Sequence, residues 1–158
     1  MHLARILRFS VALAALAAVP SLRAQSPEEE VLAVVDRLMA SMREVDTATA
    51  SSLFLPQARL VVVDSREGHR EVRALGFEDF VAAVGQSGGD WNERVWDPEV
   101  LFDGDLALVW AKYDFLIDDH FSHCGIDAFH LARTEQGWRF ISIIYSRRTA
   151  GCESPPDG

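Results

Sequence analysis

The stretch DLALVWAKYDFLIDDHFSHCGIDAFHLARTEQGWRFISIIYSRR, Asp105 to Arg148, decides the fold of this chain. From 105 to 117 its residues alternate, with Ala107, Val109, Ala111, Tyr113, Phe115 and Ile117 on one face. A period of two marks a strand with one side buried. The polar break at Asp118 to Ser122 and the TEQG turn, where Gly137 suits a positive φ, divide the remainder into two further strands. The result is three consecutive antiparallel strands, for which the upstream chain supplies the cover.

That cover begins at SPEEEVLAVVDRLMASMREVD. Ser26 is suited to cap a helix, Pro27 to its first position, and Glu28, Glu29 and Glu30 to its positive end. Val31, Val34, Val35, Leu38, Met42 and Val45 recur at helical spacing and form one apolar stripe. Asp46 or Thr47 caps a shorter helix ending near Phe54, which Pro56 stops. The β-branched run ARLVVVD (58–64) and the segment from His69 to Ala74 read as a hairpin around Gly68. FEDFVAAV (77–84) reads as a third helix ended by Gly85. Asn92 to Phe102 is extended, with Pro98 marking an edge or a bulge. The order helix-helix-β-β-helix-β-β-β-β defines an α+β class: a strongly curved mixed or antiparallel sheet wrapped by N-terminal helices.

At the start, Arg5 and Arg8 precede an apolar run from Val11 to Val19, then Pro20 and the end Leu22-Arg23-Ala24. Residues 1–24 read as a secretory signal peptide. The run falls short of the roughly 20 residues a membrane anchor needs, and no cysteine follows it to carry a lipid. The protein is therefore expected to be exported, periplasmic or secreted. With cleavage after Ala24, 158 − 24 = 134 residues remain, enough for one domain over 26–148 and a flexible tail over 149–158. The segment removes three arginines and no acid, leaving 24 acidic residues against 15 − 3 = 12 basic ones, a charge of −12. Such a balance argues against nucleic acid and anionic membranes as partners. Cys124 and Cys152 both lie in the exported part. They either pair, tying the tail to the sheet, or remain a buried thiol and a tail thiol.

Strand register picks out the candidate site. A turn spanning Asp118 to Ser122 sets Asp127 beside Tyr113 and Phe129 beside Ala111, so that His123, Asp127 and Phe129 share the inner face with Tyr113 and Phe115. Pairing Arg133 with Trp138 adds Trp138, Phe140, Ser142 and Ile144 to that face, and a one-residue slip would reverse every assignment. Asp127 is then a carboxylate on an apolar concave surface, costly to bury unless hydrogen-bonded or used. It serves either as an acid or base of raised proton affinity or as an acceptor for Tyr113 or a helix end. His123 lies four residues from Asp127, roughly 13 Å along the strand, too far for a direct dyad. His120, His123 and Cys124 do not converge as a metal site, because His123 and Cys124 point to opposite faces. No cofactor fingerprint or metal set is present in the sequence, and none is expected. Leu108, Trp110, Ile126, Ile141, Ile143 and Tyr145 form an apolar outer patch, expected to be a homodimer interface unless the tail or the first helix covers it.

The opening helix pair, FLPQARLVV, GDLALVWAKYDF and HLARTEQGWRFISI resemble the nuclear transport factor 2-like superfamily, over nearly all of residues 27–148. That superfamily includes SnoaL-like polyketide cyclases, ketosteroid isomerase and scytalone dehydratase. The resemblance implies a cone-shaped α+β fold with an internal pocket, and dimerisation through the outer sheet face. Tyr113 and Asp127 match the tyrosine and acid of ketosteroid isomerase in type but not position by position, and the first helix carries no tyrosine. The aspartate-arginine-aspartate set of an epoxide hydrolase is not recognisable, whereas His123 and Asp127 match scytalone dehydratase in type. Two functional classes fit. One is a binding protein for a small hydrophobic or aromatic ligand, its pocket lined by Phe54, Tyr113, Phe115, Asp127, Phe129, Trp138, Phe140 and Ser142. The other is an isomerase, dehydratase or hydrolase in which Asp127, Tyr113 and His123 are catalytic, with Asp127 moving the proton and Tyr113 steadying negative charge.

Overall fold

The computed structural model describes residues 25–68 and 70–156. The signal-peptide reading therefore lies outside the described residues. Among those residues no helix is long and apolar enough to cross a membrane.

Helix α1 (Pro27–Arg43) starts where the sequence places it, with Ser26 and Glu29 forming a reciprocal capping box. Its buried stripe is Val31, Val34, Val35, Leu38, Met39 and Met42. Val45 does not join it, because the helix has ended and Val45 sits exposed at φ 54°. Helix α2 (Thr47–Ser52) is capped by Asp46, whose carboxylate accepts from the Thr49 amide. Strand β1 (Phe54–Asp64) begins directly after it, and Pro56 falls in an irregular stretch between Phe54 and Arg59 where β1 makes no regular pairs with its parallel neighbour. Then come β2 (Glu71–Gly76), α3 (Phe77–Gly85), β3 (Trp91–Asp103), β4 (Leu106–Ile117), β5 (His120–Thr134) and β6 (Gly137–Arg147). The order of elements is the one expected.

All six strands form one sheet in the order β2-β1-β6-β5-β4-β3, antiparallel throughout except where β1 runs parallel to β6. The three helices pack on its concave side, with α1 against β3 and β6 and α3 against β1 and β2. Between them lies a core of Leu38, Met42, Leu53, Phe54, Val109, Phe129, Leu131 and Phe140. Edge strand β3 carries the expected irregularity at Pro98, between Trp96 and Glu99, with Asp97 at φ 49°.

Two details of register differ from the sequence reading, and they matter differently. The β4–β5 turn is only Asp118-Asp119, at φ 52° and 62°, the left-handed pair a two-residue hairpin requires and aspartate tolerates. A bulge on β5 at Ser122, opposite the step from Phe115 to Leu116, then adds one residue, so that Asp127 faces Ala111, Phe129 faces Val109, and Tyr113 faces Gly125. The shift is even, so the inner face keeps its residues. Between β5 and β6, Arg133 pairs with Trp138 as expected, but a bulge follows: Leu131 faces Phe140 while His130 faces Ser142. The extra residue reverses the remainder of β6. Ile143 and Tyr145 turn inward, and Ser142 and Ile144 turn outward. Ser142 thus leaves the pocket and meets His130 Nδ1 at 2.9 Å on the outer face. Ile143 and Tyr145 correspondingly leave the expected outer patch.

The tail is tied down over at least part of its length. Cys124 and Cys152 are disulfide-bonded, with Cα atoms 5.9 Å apart, and Lys112 Nζ donates to Glu153 at 2.7 Å. Both anchors lie on the outer face, so the tail covers one end of it and leaves Trp110 half exposed.

Candidate ligand-binding site

A cavity of about 230 Å³ lies between the concave sheet face and the helices. Leu38, Met39 and Met42 of α1 and Phe80 of α3 roof it, while Trp91, Phe115, Phe129, Leu60, Leu75 and Ile143 supply its apolar walls. Its polar groups are few: Glu93, Asp127, His123, Ser122, Tyr145 and Arg147.

Asp127, on the middle of β5, is 2% exposed. Its carboxyl is hydrogen-bonded to that of Glu93, which reaches in from β3 two strands away. One oxygen of Asp127, Oδ2, is sealed from solvent and has no protein partner. Burial, then the neighbouring Glu93, raises Asp127 well above the usual carboxylate range. Burial also pushes Glu93 up to about 7, against the hydrogen bond from Asp127, which favours its ionised form. Two carboxyls in a dry site cannot both ionise cheaply, so they titrate as a pair. Near neutrality Asp127 keeps the shared proton and donates it to Glu93.

Tyr113 lies beneath this pair and not on the cavity wall. Its ring crosses Gly125, where an added Cβ would fall 2.7 Å from Tyr113 Cε1 and 1.8 Å from the Ser146 carbonyl oxygen. Only glycine leaves that room. The Tyr113 hydroxyl donates to Ser146 O at 2.8 Å, and burial followed by the neighbouring Asp127 and Glu93 carboxyls raises its pKa well above the usual tyrosine range. A phenol so engaged does not reach a ligand in this arrangement.

His123 is 6% exposed, stacks on Phe115 at 5.0 Å, and exchanges a hydrogen bond with Ser122 Oγ through Nδ1 at 3.0 Å. Burial, helped by the Arg147 and Arg66 charges, lowers it to about 3, so it is a neutral imidazole across the physiological range. At the same end Asp64 accepts two close bonds from Arg66, Nη2 to Oδ2 at 2.6 Å and Nε to Oδ1 at 3.0 Å. Arg147 reaches the cavity from the end of β6.

Of the residues singled out from the sequence, Asp127, His123, Phe115 and Phe129 meet on the cavity wall. Phe54 and Phe140 instead stack with Phe77, Phe80 and Phe129 in the core. Trp138 packs against Phe102, and its indole N–H donates to Glu30 at 3.2 Å. Sequence reasoning missed Glu93, Tyr145 and Arg147. The alternation Trp91, Glu93, Val95 on β3 was a usable signal for Glu93, since it puts the acid on the same side as two apolar residues. No such signal existed for Tyr145 and Arg147, because the bulge in β6 sets their side. Among the described residues no cluster of three His, Cys, Asp or Glu side chains could hold a metal ion.

The fold is that of the NTF2-like proteins, the cone also described as cystatin-like. Solved structures that share it include an NTF2-like protein from Cytophaga hutchinsonii (TM-score 0.66, 11% identity, covering 78% of this chain and 99% of that one). An NTF2-like protein with a cystatin-like fold from Novosphingobium aromaticivorans aligns at TM-score 0.63 and 16% identity, over 79% and 83% of the two chains. A protein from Streptomyces avermitilis, described as "a putative dehydratase from the NTF2-like family", aligns at TM-score 0.62 and 20% identity, over 79% and 100%. At these identities the likeness is one of fold. Residues 26–146 match the family described as "Putative lumazine-binding", and the chain belongs to that family. None of the curated proteins matches it.

Proposed function

We propose that this protein binds a small, flat, largely apolar molecule through one hydrogen-bonding edge. The observation that carries the reading is the unpartnered Asp127 Oδ2 beside Glu93, a carboxyl pair in a cavity walled mostly by aliphatic and aromatic side chains. A buried polar atom without a partner costs roughly 1–3 kcal/mol, which a ligand donor or acceptor would recover. With their one proton held between them, the two carboxyls turn acceptor oxygens toward the cavity, the complement of the N–H edge of a cyclic amide. The family description names lumazine, a bicyclic heterocycle with such an edge. The cavity volume lies below the roughly 300–1,000 Å³ of drug-sized sites, which favours a ligand of one or two rings.

Acid–base catalysis is the second reading, favoured by Glu93 poised near 7 against a protonated Asp127. In a bound ketone Asp127 would donate its proton to the carbonyl oxygen while Glu93 removes a proton from the adjacent carbon, an enolisation of isomerase or dehydratase type. The Streptomyces avermitilis relative described as a dehydratase is in keeping with it.

One set of samples tests both. Calorimetric titration with lumazine is expected to show saturable binding by the wild type, weakened about tenfold or more in Asp127→Asn. Equal affinity in a folded Asp127→Asn protein overturns the pocket-edge reading. Transfer of the same samples into D₂O with 2-tetralone separates the two: α-proton exchange above background that Glu93→Gln abolishes establishes catalysis, and its absence leaves binding alone.

Two further proposals concern the whole chain. Export is supported by the Arg5/Arg8 and Val11–Val19 pattern and by the disulfide, which oxidising compartments preserve. A homodimer through the outer sheet face is supported by Trp110 at 50% and Leu101 at 64% exposure beside Leu106, Leu108 and Ile126.

A further inference from the structure

The carboxyl pair accounts for one end of the cavity and leaves the charge at the other end unexplained. Arg147 lines the cavity, and its Nε is sealed from solvent with no hydrogen-bond partner. The neighbouring carboxylate does not supply one. Asp64 Oδ2 approaches Arg147 through Nη1 only, at 4.0 Å, beyond hydrogen-bond reach. Both Asp64 oxygens are already engaged by Arg66, whose amide also donates to Oδ1 at 3.1 Å. Glu71, paired with Asp64 across β1 and β2, is met by Arg73 at 3.4 Å. His123 faces the same space as a neutral ring.

We propose that Arg147 anchors an anionic group, so that the ligand of this pocket is a small aromatic or alicyclic carboxylate. The proposal rests on the pocket reading above and adds the ligand's charge and length. A guanidinium edge beginning at a dry Nε suits the two oxygens of a carboxylate, and a charge-assisted bond there is stronger than a neutral one. Asp127 faces Tyr145, and Arg147 follows two residues later on the same strand, roughly 7 Å along the sheet. A ring system carrying a carboxylate at one end and a polar substituent at the other spans that gap. The apolar walls between the two anchors, Phe115, Phe129 and Ile143 among them, would hold the ring.

The test compares fluorescent 6-hydroxy-2-naphthoate with its neutral amide, 6-hydroxy-2-naphthamide, on wild type, Arg147→Gln, Arg147→Lys and Asp127→Asn. Wild type is expected to bind the acid at least about tenfold more tightly than the amide. Arg147→Gln should erase that preference while changing amide affinity less than about twofold; Arg147→Lys should keep part of it; Asp127→Asn should weaken both probes and preserve the preference. Melting curves check that the Arg147 variants, which lose a neighbour of Asp64, remain folded. Equal affinity of wild type for acid and amide, or a preference that survives in Arg147→Gln, overturns the anionic anchor and leaves the pocket standing. Failure of wild type to bind either probe overturns the anchor and the pocket together.

Discussion

Asp127 and Glu93 tie the chemistry of the site to the stability of the fold. Both bind protons more strongly folded than unfolded, so their contribution is complete below about pH 4 and is lost as pH rises toward and through about 7. His123 acts in the opposite sense. Lowered to about 3 when folded, it stays neutral while the unfolded ring charges, so its contribution is present above about 6.5 and is lost as pH falls toward 3. Asp64, lowered by Arg66, adds to the loss on the acid side. The opposing slopes cross between about pH 4 and 5, where the protein is expected to be most stable. From pH 5 to 8 the melting temperature should fall by roughly 5–10 °C. Asp127→Asn should flatten that alkaline limb, and His123→Gln the acid one, in calorimetric scans across pH. A wild-type melting temperature that rises from pH 5 to 8 contradicts the buried pair. Of this site the sequence made Asp127 legible, as an acid within an alternating apolar strand. Its partner was harder to see, since Glu93 meets it across an intervening strand and no spacing along the chain encodes that distance.

At the scale of elements, helix limits and strand order follow from local chemistry. The Ser26 capping box, the Asp46 cap and Pro98 each sit where their side chains dictate. Bulges are less visible, because an extra residue leaves the alternation of an apolar run such as FISIIYSRR (140–148) ambiguous. The bulge facing His130 is decided by how β6 packs on both β5 and β1, and it moves Tyr145 and Arg147 into the site. The disulfide is another element-scale device. It closes a loop with a sequence separation of 28 residues and fixes the tail to β5. Replacing Cys124 and Cys152 by alanine should cost about 3–4 kcal/mol on the loop-entropy scale. Thermal scans should show a drop on the order of 10 °C, with probe binding at the concave face retained, because the bond lies on the opposite side. Lost binding in a folded double variant would mean the strap also holds the cavity in shape.

For the whole molecule, the curved sheet makes two surfaces of different character. The concave one is filled by α1, α3 and the cavity. The convex one keeps Leu101, Leu106 and Trp110 in solvent even with the tail strapped across one end. Trp110→Glu is expected to shift the proposed dimer to monomer in sedimentation velocity at micromolar concentration, with the melting temperature of the monomer little changed. A wild type that sediments as a monomer there removes the dimer proposal. The redefinition of the patch also makes a contrast: Tyr145, expected in that interface, faces the cavity, so its replacement should alter ligand binding and leave association untouched.

The sequence by itself determined the order of elements, the α+β class, the inward aspect of Asp127 and the outward aspect of Trp110. These depend on periodicities of two and 3.6 residues and on caps and breakers, which act over a few neighbouring positions. Only the tertiary structure decided that Asp127 meets Glu93, that the Tyr113 hydroxyl is turned to Ser146, and that Arg147 lines the cavity with its Nε unpartnered. Each of those depends on a register or a close approach between segments far apart in the chain, where one residue of slip exchanges inside for outside.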